Sequence, residues 1–168
     1  MQSRLNRQLY TNASWRVINE GYKMKNKIDA TVLYQKMQLE SESALVLPPP
    51  SFTIMQSEII EYNESERSLI VKIPVLEYWL NPYQTMQGGF INAAIDNAVG
   101  PLSLLVAPVN MTRTMETKFL KSIPLDTEYI YVHASLDERR KKRLTFHVTV
   151  EDDKGDVFSQ SKVVNFIL

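Results

Sequence analysis

The sequence predicts an α+β domain in which one long buried helix is wrapped by a curved antiparallel sheet of five to six strands. Three observations support this prediction. Residues 88–107 form an apolar run with one charged side chain, segments with strand-like alternation lie on both sides of that run, and three prolines at 48–50 separate a polar N-terminal region. A helix that is apolar on nearly all faces must be buried, and one curved sheet can cover it.

Length and composition fit a single globular domain with a short appendage. The chain has 168 residues, of which 44% are hydrophobic and 23% are charged, and these fractions are ordinary for a soluble domain. Nineteen basic residues balance nineteen acidic ones, so no net charge attracts the chain to nucleic acid or to an anionic membrane. No segment reads as a signal peptide or as long enough to span a bilayer. We therefore expect a cytoplasmic protein without nucleic-acid or membrane partners.

The chain has no cysteine, and its two histidines are His133 and His147. The absence of cysteine excludes disulfides, thiolate metal sites and a cysteine nucleophile. Both histidines lie far along the chain from the apolar run, which argues against a histidine-rich metal site. We therefore expect no bound metal.

The first 47 residues form a predicted helical extension. Apolar residues between Trp15 and Leu39 follow a largely helical spacing, which predicts one or two amphipathic helices. Leu47 precedes the three prolines, and proline stops a helix because it lacks an amide donor and restricts the residue before it. The predicted boundary therefore separates an extension, residues 1–47, from a main domain, residues 48–168.

Six segments of the main domain have the texture of strands. Two precede the apolar run, at 51–62 and 68–76, and four follow it, at 114–122, 128–136, 144–151 and 157–167. Pro101 lies inside the run, where we expect it to kink or restart the helix. Polar turns join the strands, as an antiparallel sheet requires.

The start of the apolar run combines features of a reactive site. Gly88 and Gly89 open it, and Asp96 is the only charged residue between Glu77 and Arg113. Glycines let backbone amides approach a ligand, and the unpaired amides at a helix start favour negative charge. A carboxylate on an apolar helix is costly unless a site pairs or solvates it. This pattern predicts an oxyanion-binding helix start and a functional carboxylate two turns later.

Residues 81–96 resemble the phenylacetate-type, PaaI-like thioesterases of the hot-dog fold. The pattern of that family is an Asn-Pro, a short loop, a His-Gly-Gly and an acidic residue two turns into the helix. Asn81, the glycine pair at 88–89 and Asp96 keep this order and spacing, and the strand that starts near Thr114 follows without a gap. The resemblance covers roughly residues 51–168. It implies the hot-dog fold and hydrolysis of an acyl-coenzyme A thioester.

The resemblance also implies catalytic roles for the matching residues. Asp96 would act as general base or nucleophile and would face the Gly88 amide of the other subunit, which polarises the thioester carbonyl. Thr114 would supply the hydroxyl that positions water, and Asn81 would shape the loop. These four residues are the predicted catalytic set.

A second set of residues is expected to contact the substrate. Gln87 stands where the family has histidine, and its neutral amide can form hydrogen bonds but cannot carry a charge. If the histidine mainly orients the loop, glutamine can substitute for it. If the protonation of the histidine matters, activity falls with glutamine in its place. Gly89 and Asn97, which flank the catalytic positions on the helix, complete this set.

Five consecutive cations, Arg139, Arg140, Lys141, Lys142 and Arg143, lie between two predicted strands. Such a run is usually a solvated turn. Coenzyme A, however, carries a 3′-phosphate and a diphosphate, which arginine and lysine recognise. We expect this turn to bind the nucleotide part of the substrate. It lacks the interleaved aromatic residues of a nucleic-acid-binding surface.

The resemblance implies a homodimer or a dimer of dimers, with acyl-coenzyme A as the substrate and no separate cofactor. The alternative function is a non-catalytic acyl-coenzyme A-binding sensor, which binds the ligand without turnover. Hot-dog dehydratases and hydratases usually pair an acidic residue with a histidine near the helix, and no histidine lies near Asp96 in the sequence.

Overall fold

The computed structural model describes residues 29–39 and 45–168. The sheet has six strands, and the longest helix is a single element of 19 residues. In chain order the elements are α1 (Ala30–Leu39), α2 (Pro50–Ile54), β1 (Glu58–Asn63), β2 (Ser68–Pro74), α3 (Gly88–Val106), β3 (Asn110–Phe119), β4 (Tyr129–Arg140), β5 (Arg143–Glu151) and β6 (Val157–Ile167).

The strands are arranged in the order β1-β2-β4-β5-β6-β3, and all neighbouring pairs are antiparallel. The chain leaves β2 near one edge, passes through α3 and returns as β3 at the opposite edge. Helix α3 contacts β2, β3, β4, β5 and β6. The predicted α+β architecture, a long helix wrapped by an antiparallel sheet, is therefore confirmed.

The core lies between α3 and the inner face of the sheet. Apolar side chains alternate along the central strands, so that one face of each strand packs against the helix. On α3 the fully buried residues are small or branched: Ala94, Ile95, Ala98, Val99 and Leu102. This close packing fixes the position of α3, and with it the position of every polar side chain that α3 carries.

The predicted first strand, 51–62, is partly wrong. Residues Pro50–Ile54 form α2, and β1 begins at Glu58. Proline at the first helical position has a pre-set φ and lacks only a donor that would be unpaired anyway. Phe52 and Met55, three residues apart, are both buried, which is the spacing of one helical face. The apolar pattern therefore came from a short helix followed by a strand.

Other boundaries also differ from the prediction. Strand β4 continues to Arg140, four residues beyond its predicted end at 136, and β3 ends at Phe119, three residues before its predicted end at 122. Strand β3 begins at Asn110, four residues before the predicted start at Thr114. Helix α3 does not restart at Pro101 but continues through it to Val106. The Ser103 hydroxyl donates to the Gly100 carbonyl over 2.8 Å, so a side chain satisfies a carbonyl next to the proline.

Helix α3 also corrects the expectation that no segment is long enough to span a bilayer. Among the described residues it is the one helix that meets that criterion by length and composition. Half of the relevant stretch is buried inside the domain, against the sheet. This burial is what a core helix requires.

Helix α1 belongs to the predicted extension, and its existence confirms a helical segment there. Leu33 and Met37 of α1 are buried in the same core as α3, and Asp29 caps the helix by accepting from the Thr31 amide over 2.9 Å. The rest of the extension, residues 1–28 and 40–44, lies outside the described residues, as does any predicted helix there.

Candidate active site

The loop before α3 is organised by the side chain of Asn81. Its Oδ1 accepts from the backbone amides of Tyr83 and Thr85 over 2.9 and 3.3 Å, and its Nδ2 donates to the Thr85 hydroxyl over 3.0 Å. These bonds fold residues 81–85 into a tight turn in which Gln84 has a φ of 60°. The structure therefore places Asn81 where it shapes the loop.

Two backbone hydrogen bonds join this loop to the domain. The amide of Met86 donates to the Ile123 carbonyl over 2.8 Å, and the amide of Gln87 donates to the Trp79 carbonyl over 2.9 Å. Trp79 is 2% exposed and stacks on Phe90, with ring centroids 5.7 Å apart. The loop therefore delivers the start of α3 to a fixed position.

Helix α3 begins with unpaired amides. Gln87 is the N-cap residue, but its exposed side chain forms no capping hydrogen bond. The amides of Phe90 and Ile91 donate to the Gln87 carbonyl, whereas those of Gly88 and Gly89 have no acceptor in the described part of the chain. Free amides at a helix start, together with the helix dipole, form a site for developing negative charge.

Gly88 and Gly89 differ in their surroundings. A Cβ on Gly88 would lie 3.1 Å from Cζ of Phe119, whereas a Cβ on Gly89 would meet nothing within 4 Å. Gly88 therefore allows the helix start to approach β3 closely. An open cleft of about 360 Å³ lies at this approach. It is lined by Met86, Gly88, Ile91, Phe119, Leu120, Lys121 and Ser122.

One charged pair lies at the rim of the cleft. Nζ of Lys121 is 2.5 Å from Oδ1 of Asp156. The hydrogen bond and the positive charge of Lys121 lower the pKa of Asp156 below its usual value. Both side chains are more than half exposed, so the pair contributes little to stability.

Asp96 is exposed on α3 and has a hydroxyl partner on β3. The Thr112 hydroxyl donates to Oδ1 of Asp96 over 2.9 Å. No ion pair of Asp96 occurs among the described residues. A carboxylate held by one hydroxyl and open to solvent keeps lone pairs for a water molecule.

Thr112, rather than Thr114, is the hydroxyl that contacts Asp96. The pairing of β3 with β6 shifts between Thr112 and Thr114, so Arg113 forms a bulge. Met115 packs on the core, and its neighbour Thr114 therefore points to the outer face of the sheet. The bulge turns Thr112 back towards α3. Thr112 was not predicted because a bulge cannot be seen in an alternating sequence pattern.

Asn97 does not lie with the other predicted residues. It is 9% exposed, and its Oδ1 accepts from the Ser51 hydroxyl over 3.2 Å. Its Nδ2 lies 3.3 Å from the Ser57 hydroxyl and 3.4 Å from the Ser51 carbonyl. The hydrogen bonds of this carboxamide therefore hold α2 against α3. The position of Asn97 does not support the predicted contact with substrate.

The basic residues 139–143 lie at the other end of α3 from Gly88. Arg139 and Arg140 end β4, Arg143 begins β5, and only Lys141 and Lys142 form the predicted turn. Nη1 of Arg139 donates to the Val106 carbonyl over 3.3 Å, and Arg140 pairs with Glu138 over 2.6 Å. All five cations are exposed. A helix of 19 residues is about 27 Å long. Within one chain the structure therefore does not bring Arg139–Arg143 to the Gly88 cleft.

A further polar group on α3 was not recognised from the sequence. Oδ1 of Asn92 accepts from the Thr117 hydroxyl over 2.7 Å, and that hydroxyl lies 2.7 Å from the Ser161 hydroxyl. Asn92 lies four residues after Gly88 and four before Asp96, so all three share one face of the helix. That spacing was the available signal. No group of His, Asp or Glu that could hold a metal ion occurs among the described residues.

Comparisons with known proteins identify the fold. No family model matches the sequence, and no curated protein sequence matches it. Many solved structures are similar. A phenylacetic acid degradation-related protein from Ralstonia eutropha, named as a candidate thioesterase, has a TM-score of 0.69 and 17% identity, over 80% of this chain and 98% of that one.

Two other solved structures extend this likeness. The Escherichia coli PaaI protein of the phenylacetic acid degradation operon has a TM-score of 0.66 and 13% identity, over 83% of this chain and 90% of that one. A Streptococcus mutans protein bound to acetyl-coenzyme A has a TM-score of 0.62 and 17% identity, over 76% and 94%. At these identities the likeness concerns the fold. The chain therefore has the hot-dog fold, as the resemblance of residues 81–96 predicted.

Proposed function

We propose that the protein is an acyl-coenzyme A thioesterase that works as a homodimer in the cytoplasm, hydrolysing a thioester to a free acid and coenzyme A. The observation that carries this proposal is the arrangement on α3, where free amides at Gly88 and Gly89 precede the Asp96–Thr112 pair on the same side of the helix. The acetyl-coenzyme A bound by the Streptococcus mutans protein of the same fold supports the choice of substrate class.

In the proposed reaction the Gly88 amide donates to the thioester carbonyl oxygen. Asp96 takes a proton from a water molecule whose oxygen attacks the carbonyl carbon, and the carbon–sulfur bond then breaks. The sulfur takes the proton that Asp96 received from water and leaves as the thiol of coenzyme A, which returns Asp96 to its carboxylate form. A preorganised oxyanion donor lowers such a barrier by roughly 3 kcal/mol, and a positioned general base adds a factor of about 10²–10⁴.

One chain alone does not complete this site. Gly88 and Asp96 are eight residues apart on α3, which corresponds to about 12 Å along the axis. A base and an oxyanion donor that act on the same carbonyl must each lie within about 3 Å of the reacting groups. We therefore propose that Gly88 of one protomer works with Asp96 of its partner.

Strand β3 offers a surface for this pairing. It lies at an edge of the sheet, with β6 on one side, and most of its residues are exposed. An edge strand of ten residues with unpaired backbone groups is a template for another strand. Antiparallel pairing of two β3 strands around a twofold axis would also bring the C-terminal end of one α3 towards the Gly88 end of the other.

The same geometry gives the basic turn a place in the site. If the partner's α3 runs antiparallel to α3 of the first protomer, residues 139–143 of the partner approach the mouth of the Gly88 cleft from outside. The phosphates of coenzyme A would then contact Arg and Lys side chains of one protomer while its thioester lies in the cleft of the other. This would reconcile the predicted nucleotide contact with the separation inside one chain.

Replacing Asp96 with asparagine tests the proposal. Asp96→Asn keeps the shape and the acceptor for Thr112 but removes basicity, so kcat should fall by about 10²–10⁴ while KM changes little. Hydrolysis of short, medium, long and aromatic acyl-coenzyme A substrates would be measured by release of the thiol. Asp137→Asn, at an exposed position of β4, is the matched control and should retain full activity.

The alternative function is an acyl-coenzyme A sensor without turnover. The favouring observation is Gln87, an exposed neutral side chain at the N-cap of α3. A wild-type protein that binds acyl-coenzyme A in calorimetry but hydrolyses none would establish the sensor and refute the enzyme. Asp96→Asn with wild-type kcat would refute the general-base mechanism while leaving thioesterase activity intact.

A further inference from the structure

A row of polar side chains lies under the first turns of α3, where the inner face of a sheet is normally apolar. Ser159 and Ser161 on β6 are 0% and 3% exposed. Ser159 pairs with Val150 of β5, and Ser161 pairs with Val148. Both valines belong to the core. Side chains of directly paired residues point to the same face of a sheet, so the two serines face α3.

The row continues onto β3 and α3. Ser161 pairs with Thr117 across the β6–β3 ladder. The Thr117 hydroxyl donates to Oδ1 of Asn92 over 2.7 Å. A hydroxyl has one proton to give, so the 2.7 Å contact between Ser161 and Thr117 must have Ser161 as its donor. The chain of bonds thus runs Ser161 to Thr117 to Asn92 and fixes the carboxamide with Oδ1 towards the sheet.

Two polar groups of the row have no partner in the described part of the chain. The Ser159 hydroxyl is fully buried and forms no hydrogen bond. The Nδ2 amide of Asn92 has no acceptor, because its bond to the sheet uses Oδ1 alone. Leaving a buried polar group unpaired is costly, and native proteins rarely do so. This argument applies to the Ser159 hydroxyl, which lacks a partner that a ligand atom could supply. Asn92 is half-buried, and its Nδ2 amide remains able to donate to a ligand atom.

These groups lie next to the proposed thioester site. Ser159 pairs with Phe119, whose ring is the nearest neighbour of a Cβ built on Gly88. Asn92 lies one turn beyond Gly88 on the same face of α3, about 6 Å along the axis. An acyl group that extends from a carbonyl held by the Gly88 amide, between α3 and β3, would meet Asn92 and the hydroxyls behind it.

We propose that Asn92, Thr117, Ser159 and Ser161 form the distal part of the acyl pocket and select an acyl group that carries an oxygen substituent. The inference rests on the proposed function and names its substrate class. A hydroxyl or carbonyl oxygen on the acyl group pairs with the Asn92 amide and the Ser159 hydroxyl. A site built to bond such an oxygen discriminates strongly against the analogue without it, because its own polar groups then stay unpaired.

The experiment compares hexanoyl-coenzyme A with 3-hydroxy- and 6-hydroxyhexanoyl-coenzyme A. Wild-type kcat/KM should be at least about tenfold higher for one of the hydroxylated substrates, the value of one hydrogen bond. Thr117→Val keeps the shape of the side chain and removes the hydroxyl, and Asn92→Leu removes the carboxamide. Each variant should reduce the preference to within about twofold of unity. Thr149→Val makes the same change on the outer face of β5. This control variant should keep the wild-type preference for the hydroxylated substrate.

Binding measurements separate this inference from the proposed function. Ketone analogues, in which a methylene replaces the thioester sulfur, bind but cannot be hydrolysed. Calorimetry with these analogues should show the same preference in Kd even if the protein hydrolyses nothing. Equal affinity of the wild-type protein for the plain and hydroxylated analogues would overturn the inference. A preference that survives in both Thr117→Val and Asn92→Leu would also overturn it.

Discussion

Helix α3 has two faces that meet the same sheet through different chemistry. Towards the central strands it presents Ala94, Ile95, Ala98, Val99 and Leu102, all with no exposed surface. Towards β3 it presents Gly88, Asn92 and Asp96, which meet Phe119, Thr117 and Thr112 in turn. The first face consists of close-packed methyl groups, and the second consists of separate polar contacts along an edge strand.

The difference assigns stability to one face and chemistry to the other. Apolar burial is non-directional and holds the helix in place wherever volumes match. Hydrogen bonds are directional, so the position of each polar contact depends on the register of β3. The apolar face therefore holds α3 rigidly in place. The polar face can carry a site whose side chains are positioned by hydrogen bonds without being fully buried.

The prediction with the largest expected effect tests whether stability and activity depend on different faces of α3. Leu102→Ala should lower the free energy of unfolding by about 2–5 kcal/mol, because it leaves a cavity in a packed core. Activity per folded molecule should stay close to that of the wild type. Denaturant unfolding with assays below the transition gives both values. Leu125→Ala, at a residue that is 38% exposed, is the control and should cost far less. A large loss of kcat in folded Leu102→Ala would show that the faces are not independent.

The next effect concerns the hydroxyl on the polar face. Thr112→Val removes the donor to Asp96 without changing shape, and kcat should fall by about tenfold, the value of one hydrogen bond. Thr114→Val makes the same change two residues away, on the outer face of the sheet, and kcat should stay within about twofold of wild type. Steady-state kinetics of both variants would show which of the two hydroxyls supports catalysis. The opposite ranking would mean that Thr114, as the resemblance implied, is the functional hydroxyl.

The prediction with the smallest expected effect concerns the pKa of Asp156, which pairs with Lys121 at the rim of the cleft. Lys121 lowers the pKa of Asp156 from its usual 3.8, so the pair stabilises the fold above that pH, and this contribution is lost as pH falls through the lowered value. Lys121→Met should return the pKa towards 3.8, as NMR titration of Asp156 would show. Lys154→Met, which removes a weaker influence, should move it less. An unchanged pKa in Lys121→Met would refute the pairing.

The sequence predicted the elements that depend on composition. The span of α3 was readable because its apolar residues occupy nearly every face, and β6 was predicted at residues 157–167, as observed. The short helix α2 was missed because five residues with buried Phe52 and Met55 fit a strand as well as a helical turn. Local patterns of that length do not distinguish the two.

The site residues that lie along α3 could be predicted from the sequence, whereas their partners on the sheet could not. Gly88 and Asp96 share a face because of their spacing, and the same spacing would have indicated Asn92. Thr112 depends on a bulge at Arg113, and a one-residue shift in register moves every later side chain to the other face. The partners of a helix on an edge strand therefore require the three-dimensional structure.

The central claim is that Gly88 of one protomer works with Asp96 of its partner, and a mixed dimer tests it most directly. Gly88→Pro deletes the amide donor at the first helical position, where the proline backbone is tolerated, and the ψ of 137° at Gln87 suits a following proline. The new Cβ would lie 3.1 Å from the ring of Phe119, so that exposed ring must shift. Gly88→Pro and Asp96→Asn should each be nearly inactive as homodimers.

Co-refolding equal amounts of the two variants should restore roughly a quarter of wild-type activity, because half of the randomly formed dimers would contain one intact site of two. The mixture would be assayed by thiol release, with each variant refolded alone as the reference. Recovery of that size confirms a shared site. A mixture that forms dimers but stays as inactive as its components would contradict the account, since both groups would then have to act within one chain.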